Sequence, residues 1–182
     1  IAWTSRQPAH LNLMFREPLL GRRGELPEPI EPAERAAASG RGELRADQLD
    51  HARGVIVAGR GIDRPDVVEQ LAAALGWPIL ADPRSGCRGA GHAVSAFDSL
   101  LRHEAFAADH RPDVVLHLGE PPASKVLGQW LQSSGATHLQ VLSRDALIDP
   151  LGMMQQTVIG PIGELLEPLV GAVGAGAAAS SP

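Results

Sequence analysis

GVIVAGRGIDRPDVVEQLAAALGWPILADP, residues 54–83, decides the fold of this chain of 182 residues. Its first six residues are an apolar, β-branched run closed by glycine, which is typical of a strand buried on both faces of a parallel sheet. Apolar residues then recur at helical spacing over residues 67–75, with Asp63 as the predicted N-cap and Gly76 as the predicted end of the helix. A second apolar run, Trp77–Ala81, follows. The pattern predicts a βαβ unit with a right-handed crossover between parallel strands.

Apolar runs and helical patterns continue to alternate along the rest of the chain. Further strands are predicted at residues 113–119, 137–143 and 157–160, and further helices at residues 96–101, 124–134 and 162–170. This alternation predicts an α/β fold: a Rossmann-like, doubly wound three-layer sandwich around a mostly parallel sheet of five or six strands. Ligands of such folds bind beyond the carboxyl ends of the strands, so we expect the site among loops 59–63, 82–92, 119–125 and 143–150.

Composition shifts predict four segments. Residues 1–20 contain a strand-like stretch at 8–15 and are expected to end an upstream domain, and residues 21–50 read as a linker with a turn of helix near its end. Residues 51–170 are the predicted central domain. Residues 171–182, rich in Gly, Ala and Ser, are predicted to be a flexible exit linker. Because the sequence begins at Ile1 without Met, we interpret it as a piece of a longer protein.

The charge and cysteine content exclude several classes of function. A net charge of −5 argues against a general nucleic-acid or membrane-surface binder, and no apolar span is long enough to cross a membrane. Cys87 is the only cysteine, which leaves no disulfide framework and favours a cytoplasmic protein. The seven histidines show no zinc-like spacing, and His117 is interpreted as a packed or hydrogen-bonded core residue.

The first candidate site is Gly59-Arg60-Gly61, at the end of the first strand. A dinucleotide fingerprint requires a third glycine three residues later, where this chain has Arg64. Asp82 lies near the spacing of a ribose-binding acid. Two interpretations stay open: a nucleotide site or a plain tight turn.

Two further candidates are basic. Arg84 and Arg88 lie in a glycine-rich loop whose guanidiniums and backbone donors suit an anion, although a solvated loop has the same composition. Ser124 is predicted to cap a helix, and Lys125 opens it beside free backbone N–H groups. Lys125 is the only lysine among 16 basic residues, which makes its position informative. It is either an anion-binding residue or a surface charge.

Several segments together resemble a known enzyme family. These are PAHLNLMFREPL at residues 8–19, GVIVAGRG at 54–61, LGWPILADP at 75–83 and DVVLHLGEPPASKVLGQW at 113–130. In this order they are similar to the 2-succinyl-5-enolpyruvyl-6-hydroxy-3-cyclohexene-1-carboxylate synthase family of menaquinone biosynthesis. The first segment resembles the end of that family's pyrimidine-binding domain, and the others resemble its central domain.

The resemblance implies a thiamine-diphosphate- and magnesium-dependent parent enzyme. Such a synthase decarboxylates 2-oxoglutarate and adds the succinyl unit to isochorismate, and its cofactor lies between the flanking pyrimidine and pyrophosphate domains. The family's magnesium motif, Gly-Asp-Gly, does not occur in this sequence. The resemblance therefore implies that this chain alone is inactive, holds no cofactor or metal and contributes no catalytic residue. The parent enzyme is expected to be a homo-oligomer.

The resemblance also implies a substrate-binding role for Lys125, which matches the lysine of the family's Lys-Arg pair. Val126 stands where the family has arginine, and Arg84 or Arg88 is predicted to supply that charge from the neighbouring loop. With Ser124 these are the predicted substrate-binding residues. Two alternatives stay open: a central domain of another thiamine-diphosphate enzyme, such as an acetohydroxyacid synthase, that holds FAD or ADP, and a regulatory module whose basic loop senses an anionic metabolite.

Overall fold

The computed structural model describes residue 24 and residues 43–50, 53–143 and 148–179. A 3-10 helix, Ala46–Leu49, precedes the sheet. The strands are β1 (Gly54–Ala58), β2 (Ile79–Ala81), β3 (Ala93–Val94), β4 (Val114–Leu118), β5 (Thr137–Leu142) and β6 (Gln156–Ile159). The helices are α1 (Pro65–Leu75), α2 (Phe97–Leu101), α3 (Glu104–Asp109), α4 (Lys125–Ser134) and α5 (Ile162–Ala179).

The six strands form one sheet in the order β3-β2-β1-β4-β5-β6, and every pairing is parallel. The predicted α/β class and the upper estimate of six strands are thus confirmed. The order reverses direction between β1 and β4, since the chain moves outward from β1 to β3 and then returns to the other side. This reversal is the point at which doubly wound folds bind ligands.

Alternate residues of the central strands feed two separate apolar layers, because successive side chains of a strand point to opposite faces. Ile56, Leu116 and Val141 pack with α1 and α5 on one face. Val55 and Val115 pack with Trp130 and the rest of the α2–α4 layer on the other face. All five residues of β1 are buried, as its apolar run predicts.

The predicted N-cap of α1 is wrong, and the reason is a contact made by α5. The N-cap position belongs to Arg64, whose side chain makes no capping hydrogen bond. The Asp63 carboxylate instead accepts a hydrogen bond of 2.9 Å from the Gly163 backbone N–H, in the first turn of α5. A Cβ at Gly163 would lie 2.4 Å from the Cγ of Arg64, so the two helix starts meet closely. Asp63 therefore caps α5, and not α1, which begins two residues after it.

Two short elements differ from the sequence-based expectation. β3 has only two residues, which is too short to show any periodicity. The helix predicted at residues 96–101 begins at Phe97, and a separate helix, α3, follows it after a break at Arg102 and His103. The strand predicted at residues 8–15 lies outside the described residues.

The folded unit extends beyond the predicted central domain at both ends. Leu44 and Leu49, within the predicted linker, are buried in the core, and the Gln48 side chain donates to Gln156 over 2.7 Å. α5 continues through residues 171–179, where a flexible linker is expected, and Val173 packs against the core. Alanine has the highest helix propensity, so an alanine-rich continuation of a packed helix stays helical.

The loops after β1 and β4 approach so closely that only glycine fits at two positions. A Cβ at Gly59 would lie 1.7 Å from the backbone oxygen of Glu120. A Cβ at Gly119 would lie 2.2 Å from the backbone oxygen of Arg60, and Gly119 also has a φ of +73°. Both obstacles are backbone atoms, which cannot turn away as a flexible side chain can.

Gly119→Ala should destabilise the protein much more than Gly135→Ala. Gly135 has the same φ of +73°, but a Cβ there would have no atom within 4 Å, so it reports the cost of the conformation alone. We expect Gly135→Ala to lower the free energy of unfolding by about 1 kcal/mol and Gly119→Ala by at least about 3 kcal/mol. Urea unfolding followed by circular dichroism measures both. Equal losses in the two variants would contradict the close approach of the two loops.

Candidate functional site

Backbone hydrogen bonds join the loops after β1 and β4 at the carboxyl edge of the sheet. The Arg60 N–H donates to the Glu120 carbonyl over 3.1 Å, and the Glu120 N–H donates to the Arg60 carbonyl over 2.8 Å. This antiparallel bridge lies at the reversal of strand order, where an open crevice binds the dinucleotide in Rossmann folds. The glycines at 59 and 119 therefore serve a contact between two loops. The structure favours the tight-turn interpretation of Gly59-Arg60-Gly61.

Arg84 connects the loop after β2 to the loop after β4. Its Nε donates to the Asp82 carboxylate over 2.9 Å, and its Nη2 donates to the Pro121 carbonyl over 3.3 Å. Burial opposes the ionisation of Asp82, but the hydrogen bonds from Arg84 outweigh it and lower the pKa of that carboxyl. Asp82, the candidate ribose acid, is thus held in an ion pair.

Arg88 bonds to backbone of its own loop region. Its Nε donates to the Ala81 carbonyl over 3.2 Å, and its Nη2 donates to the Ser95 carbonyl over 3.4 Å. Both arginines therefore hold the basic loop against the sheet edge. The buried Cys87 lies between them in sequence, and burial raises the pKa of its thiol, which is the behaviour of a structural cysteine.

Ser124 caps α4 as predicted. Its hydroxyl oxygen accepts a hydrogen bond of 3.0 Å from the Leu127 N–H, and its hydroxyl hydrogen is donated to the Asp98 carboxylate, 2.5 Å away. Arg102 forms an ion pair of 3.0 Å with the same carboxylate. The Ser124 hydrogen is therefore committed within the protein. Lys125, the first residue of α4, has an exposed side chain at the same edge.

A cavity of about 360 Å³ lies beside α4 on this edge. Residues of the β4–α4 loop, one side of α4 from Lys125 to Gln132, and residues between 148 and 154 form its walls. Val57 and His117 extend into it from the sheet. Its lining is mostly apolar. The wall at residues 148–154 is held by Asp149, whose carboxylate accepts from the N–H groups of Met153 and Met154 over 2.9 and 3.0 Å.

A pair of buried histidines crosses from β4 to β5 beneath this cavity. His117 Nε2 lies 2.9 Å from His138 Nδ1, and the His138 ring also bonds to the backbone of Leu131. Since Nδ1 of His138 faces His117, we assign the bond with Leu131 to Nε2 of His138, which carries the proton. Nδ1 of His138 is then unprotonated and accepts a hydrogen bond from the Nε2–H of His117. Burial and the neighbouring His138 lower the pKa of His117 to about 3. Both the packing and the hydrogen bond expected of His117 are thus confirmed.

Sequence reasoning missed Asp98 and the His138 end of the pair. Asp98 is 26 residues from Ser124, and no local pattern indicates that α2 and α4 pack together. A weak signal existed for the histidines. Each histidine lies within a mostly apolar strand, where a buried ring needs a hydrogen-bond partner.

Comparison with known proteins places the chain in a family. A family model described as "Middle domain of thiamine pyrophosphate" matches residues 34–170. The chain belongs to this family of thiamine pyrophosphate middle domains. The match begins well before residue 51, in agreement with the buried positions of Leu44 and Leu49.

Curated relatives of this middle domain share the name 2-succinyl-5-enolpyruvyl-6-hydroxy-3-cyclohexene-1-carboxylate synthase. The chain is 37% identical to the protein of Geobacillus kaustophilus over 161 residues, 79% of this chain and 28% of the relative. For Chloroflexus aurantiacus the identity is 38%, over 69% of this chain and 24% of the relative. For Thermobifida fusca it is 35%, over 82% and 29%. The middle domain thus spans less than a third of each relative.

The described part of the middle domain contains neither a cluster of metal-ligating side chains nor a membrane-spanning helix. In residues 43–50, 53–143 and 148–179, no three His, Cys, Asp or Glu side chains are grouped so as to hold a metal ion. No helix in the same residues has the length and apolarity needed to cross a bilayer.

We expect neither ADP nor FAD to stabilise this middle domain, because the Arg60–Glu120 bridge occupies the crevice that a dinucleotide needs. Thermal unfolding is measured at increasing nucleotide concentrations, with inorganic phosphate as the control for simple anion binding. A melting temperature that rises with ADP or FAD but not with phosphate would contradict this expectation.

The buried His117 should make the protein less stable as the pH falls from about 6.5. Its pKa is about 3 in the folded state and about 6.5 in the unfolded chain, so the unfolded chain takes up a proton that the folded protein refuses. This costs at most about 1.4 kcal/mol per pH unit. His117→Gln should flatten the dependence measured by urea unfolding between about pH 6.5 and pH 4. Burial also lowers the pKa of His138, so part of the slope should remain in His117→Gln, but a wholly unchanged slope would exclude His117 as its cause.

Proposed function

We propose that this middle domain belongs to a thiamine-diphosphate-dependent synthase that decarboxylates 2-oxoglutarate and adds the succinyl unit to isochorismate in menaquinone biosynthesis. The observation that carries the proposal is the similarity to synthases of that name at 35–38% identity over most of this chain. The parent enzyme is a cytoplasmic transferase and a homo-oligomer in this proposal.

Thiamine diphosphate and magnesium are assigned in this proposal to the flanking pyrimidine and pyrophosphate domains. The described residues offer no cluster of metal ligands, and the sequence has no Gly-Asp-Gly motif. The cofactor supplies the carbanion chemistry when it is bound. The middle domain then acts by structure and by substrate binding, and this chain alone is inactive.

Lys125 is the substrate-binding residue that the geometry supports best. Its side chain is exposed at the carboxyl edge, and the positive end of the α4 dipole lies at the same place. An ammonium at the N-terminal end of a helix suits a carboxylate, and both proposed substrates carry carboxylates. Because Lys125 holds a group that does not react, it binds the ground state and the transition state alike.

The remaining predicted residues have narrower roles in the proposal. Arg84 keeps a side chain that is 46% exposed while it bonds to Asp82 and Pro121, so it can add positive charge near the substrate. Arg88 contributes to the site by holding the basic loop through its hydrogen bonds to the Ala81 and Ser95 carbonyls. Ser124 contributes by capping α4, since its hydroxyl hydrogen is already donated to Asp98. Val126 leaves the Lys125 ammonium without the adjacent arginine of the family pair.

Lys125→Ala in the parent enzyme should raise the KM for one carboxylate substrate while kcat stays nearly unchanged. A charge-assisted hydrogen bond contributes about 1.5–3 kcal/mol, which corresponds to a rise in KM of about tenfold or more. Steady-state kinetics with each substrate varied in turn measures the effect. Lys125→Arg, which keeps the charge, should recover most of the affinity. Wild-type KM values for both substrates in Lys125→Ala would remove this residue from the site.

A further inference from the structure

The segment that carries Lys125 to the sheet edge is held by three separate elements. The backbone of Glu120 is bonded to Arg60 after β1, and the Pro121 carbonyl accepts from Arg84 after β2. At the end of the segment, Ser124 is bonded to Asp98 of α2. The bond to Asp98 is the last of these before Lys125, and it is also the shortest.

Asp98 fixes the orientation of the Ser124 hydroxyl. A serine hydroxyl has one hydrogen, and here Asp98 receives it. The hydroxyl oxygen is then turned so that it can accept from the Leu127 N–H, which is the capping hydrogen bond of α4. The hydrogen bond from Ser124 lowers the pKa of Asp98, and Arg102 lowers it further, so this carboxyl is ionised at neutral pH.

The charge of Asp98 also compensates for an unfavourable arrangement at the start of α4. A lysine in the first turn places a positive charge at the positive end of the helix dipole. The first turn of α4 contains no acidic residue to offset it. The carboxylate of Asp98, which bonds to the N-cap through one oxygen and to Arg102 through the other, brings a negative charge to this helix start.

We propose that Asp98 is a positioning residue for Lys125, acting through Ser124 and the first turn of α4. The inference rests on the proposed function, since Lys125 is the residue that meets the substrate carboxylate. Asp98 itself does not touch the substrate. Its carboxylate holds the N-cap in place and allows the helix to begin with a lysine at the edge of the sheet.

Kinetics of the parent enzyme test the inference through a double-mutant cycle. Asp98→Ala should raise the KM of the substrate that Lys125 binds by about tenfold with little change in kcat, because it weakens the same binding contact. Asp98→Asn keeps an acceptor for Ser124 without the charge and should give a smaller rise. In a Lys125→Ala background, neither substitution should raise KM further, since two residues that act through one contact are not additive.

Asp66→Asn is the matched control. Asp66 also pairs with an arginine at the start of a helix, at 2.8 Å from Arg64, and its side chain is 55% exposed compared with 43% for Asp98. Within the described part of the chain, it forms no hydrogen bond or ion pair with α4. This variant should keep both kinetic constants of the wild-type enzyme.

A second measurement uses the middle domain itself, in which Lys125 is the only lysine. Reductive ¹³C-methylation labels this side chain and the terminal amine, so one lysine signal reports its surroundings in NMR spectra. Asp98→Asn should shift that signal and the Leu127 amide signal, whereas Asp66→Asn should shift neither. A melting curve identifies any variant that loses the fold.

The outcomes separate the inference from the proposed function. A wild-type KM in Asp98→Ala, or an equal rise in KM with and without Lys125, would overturn the positioning role of Asp98. Lysine and Leu127 signals that do not move in Asp98→Asn would overturn it as well. If Lys125→Ala alone leaves KM unchanged, the substrate-binding role of Lys125 fails, while the NMR shifts still decide whether Asp98 controls the start of α4.

Discussion

The bridge between Arg60 and Glu120 is the contact on which the candidate site depends. Two backbone hydrogen bonds join the loops that leave β1 and β4 at the point where the strand order reverses. Glycine at positions 59 and 119 is the condition for this approach, because a side chain at either position would meet a backbone oxygen. The bridge fills the crevice that Rossmann folds have at this point. It also supports the loop that leads to α4.

The site that results is a braced edge instead of an open cleft. The arginines that the sequence suggests as ligand-binding residues form hydrogen bonds to groups of the protein itself. Arg84 is bonded to Asp82 and to the loop after β4, and Arg88 is bonded to carbonyl groups. The exposed charge of Lys125 is left at the end of this braced loop. Because the backbone before Lys125 is held in place, a bound substrate has to order the lysine side chain but not the loop that carries it.

Much of this fold could be predicted from the sequence, because the central strands β1 and β4 are buried on both faces and read as nearly continuous apolar runs. The helix of residues 65–75 and the cap at Ser124 follow from local patterns in the same way. Asp63 and Asp98 show what local patterns miss. Each is an acid at a helix start that bonds to a residue of a different helix, and only the packing of helices on the sheet determines which one. Composition likewise does not show that Leu49 and Val173, both within predicted linkers, pack against the core.

The bond from Gly163 to Asp63 joins residues 100 positions apart and has a consequence for how the chain acquires its structure. The first crossover unit, β1-α1-β2, is synthesised well before α5 and is local in sequence. The apolar face of α1 packs on β1 and β2, but its contacts with α5 and the hydrogen bond of the Asp63 carboxylate form only when α5 arrives. Closing so long a loop is entropically costly, and folds dominated by distant contacts form slowly. The first crossover unit is therefore completed late, and the side of α1 that faces α5 stays exposed until α5 has left the ribosome.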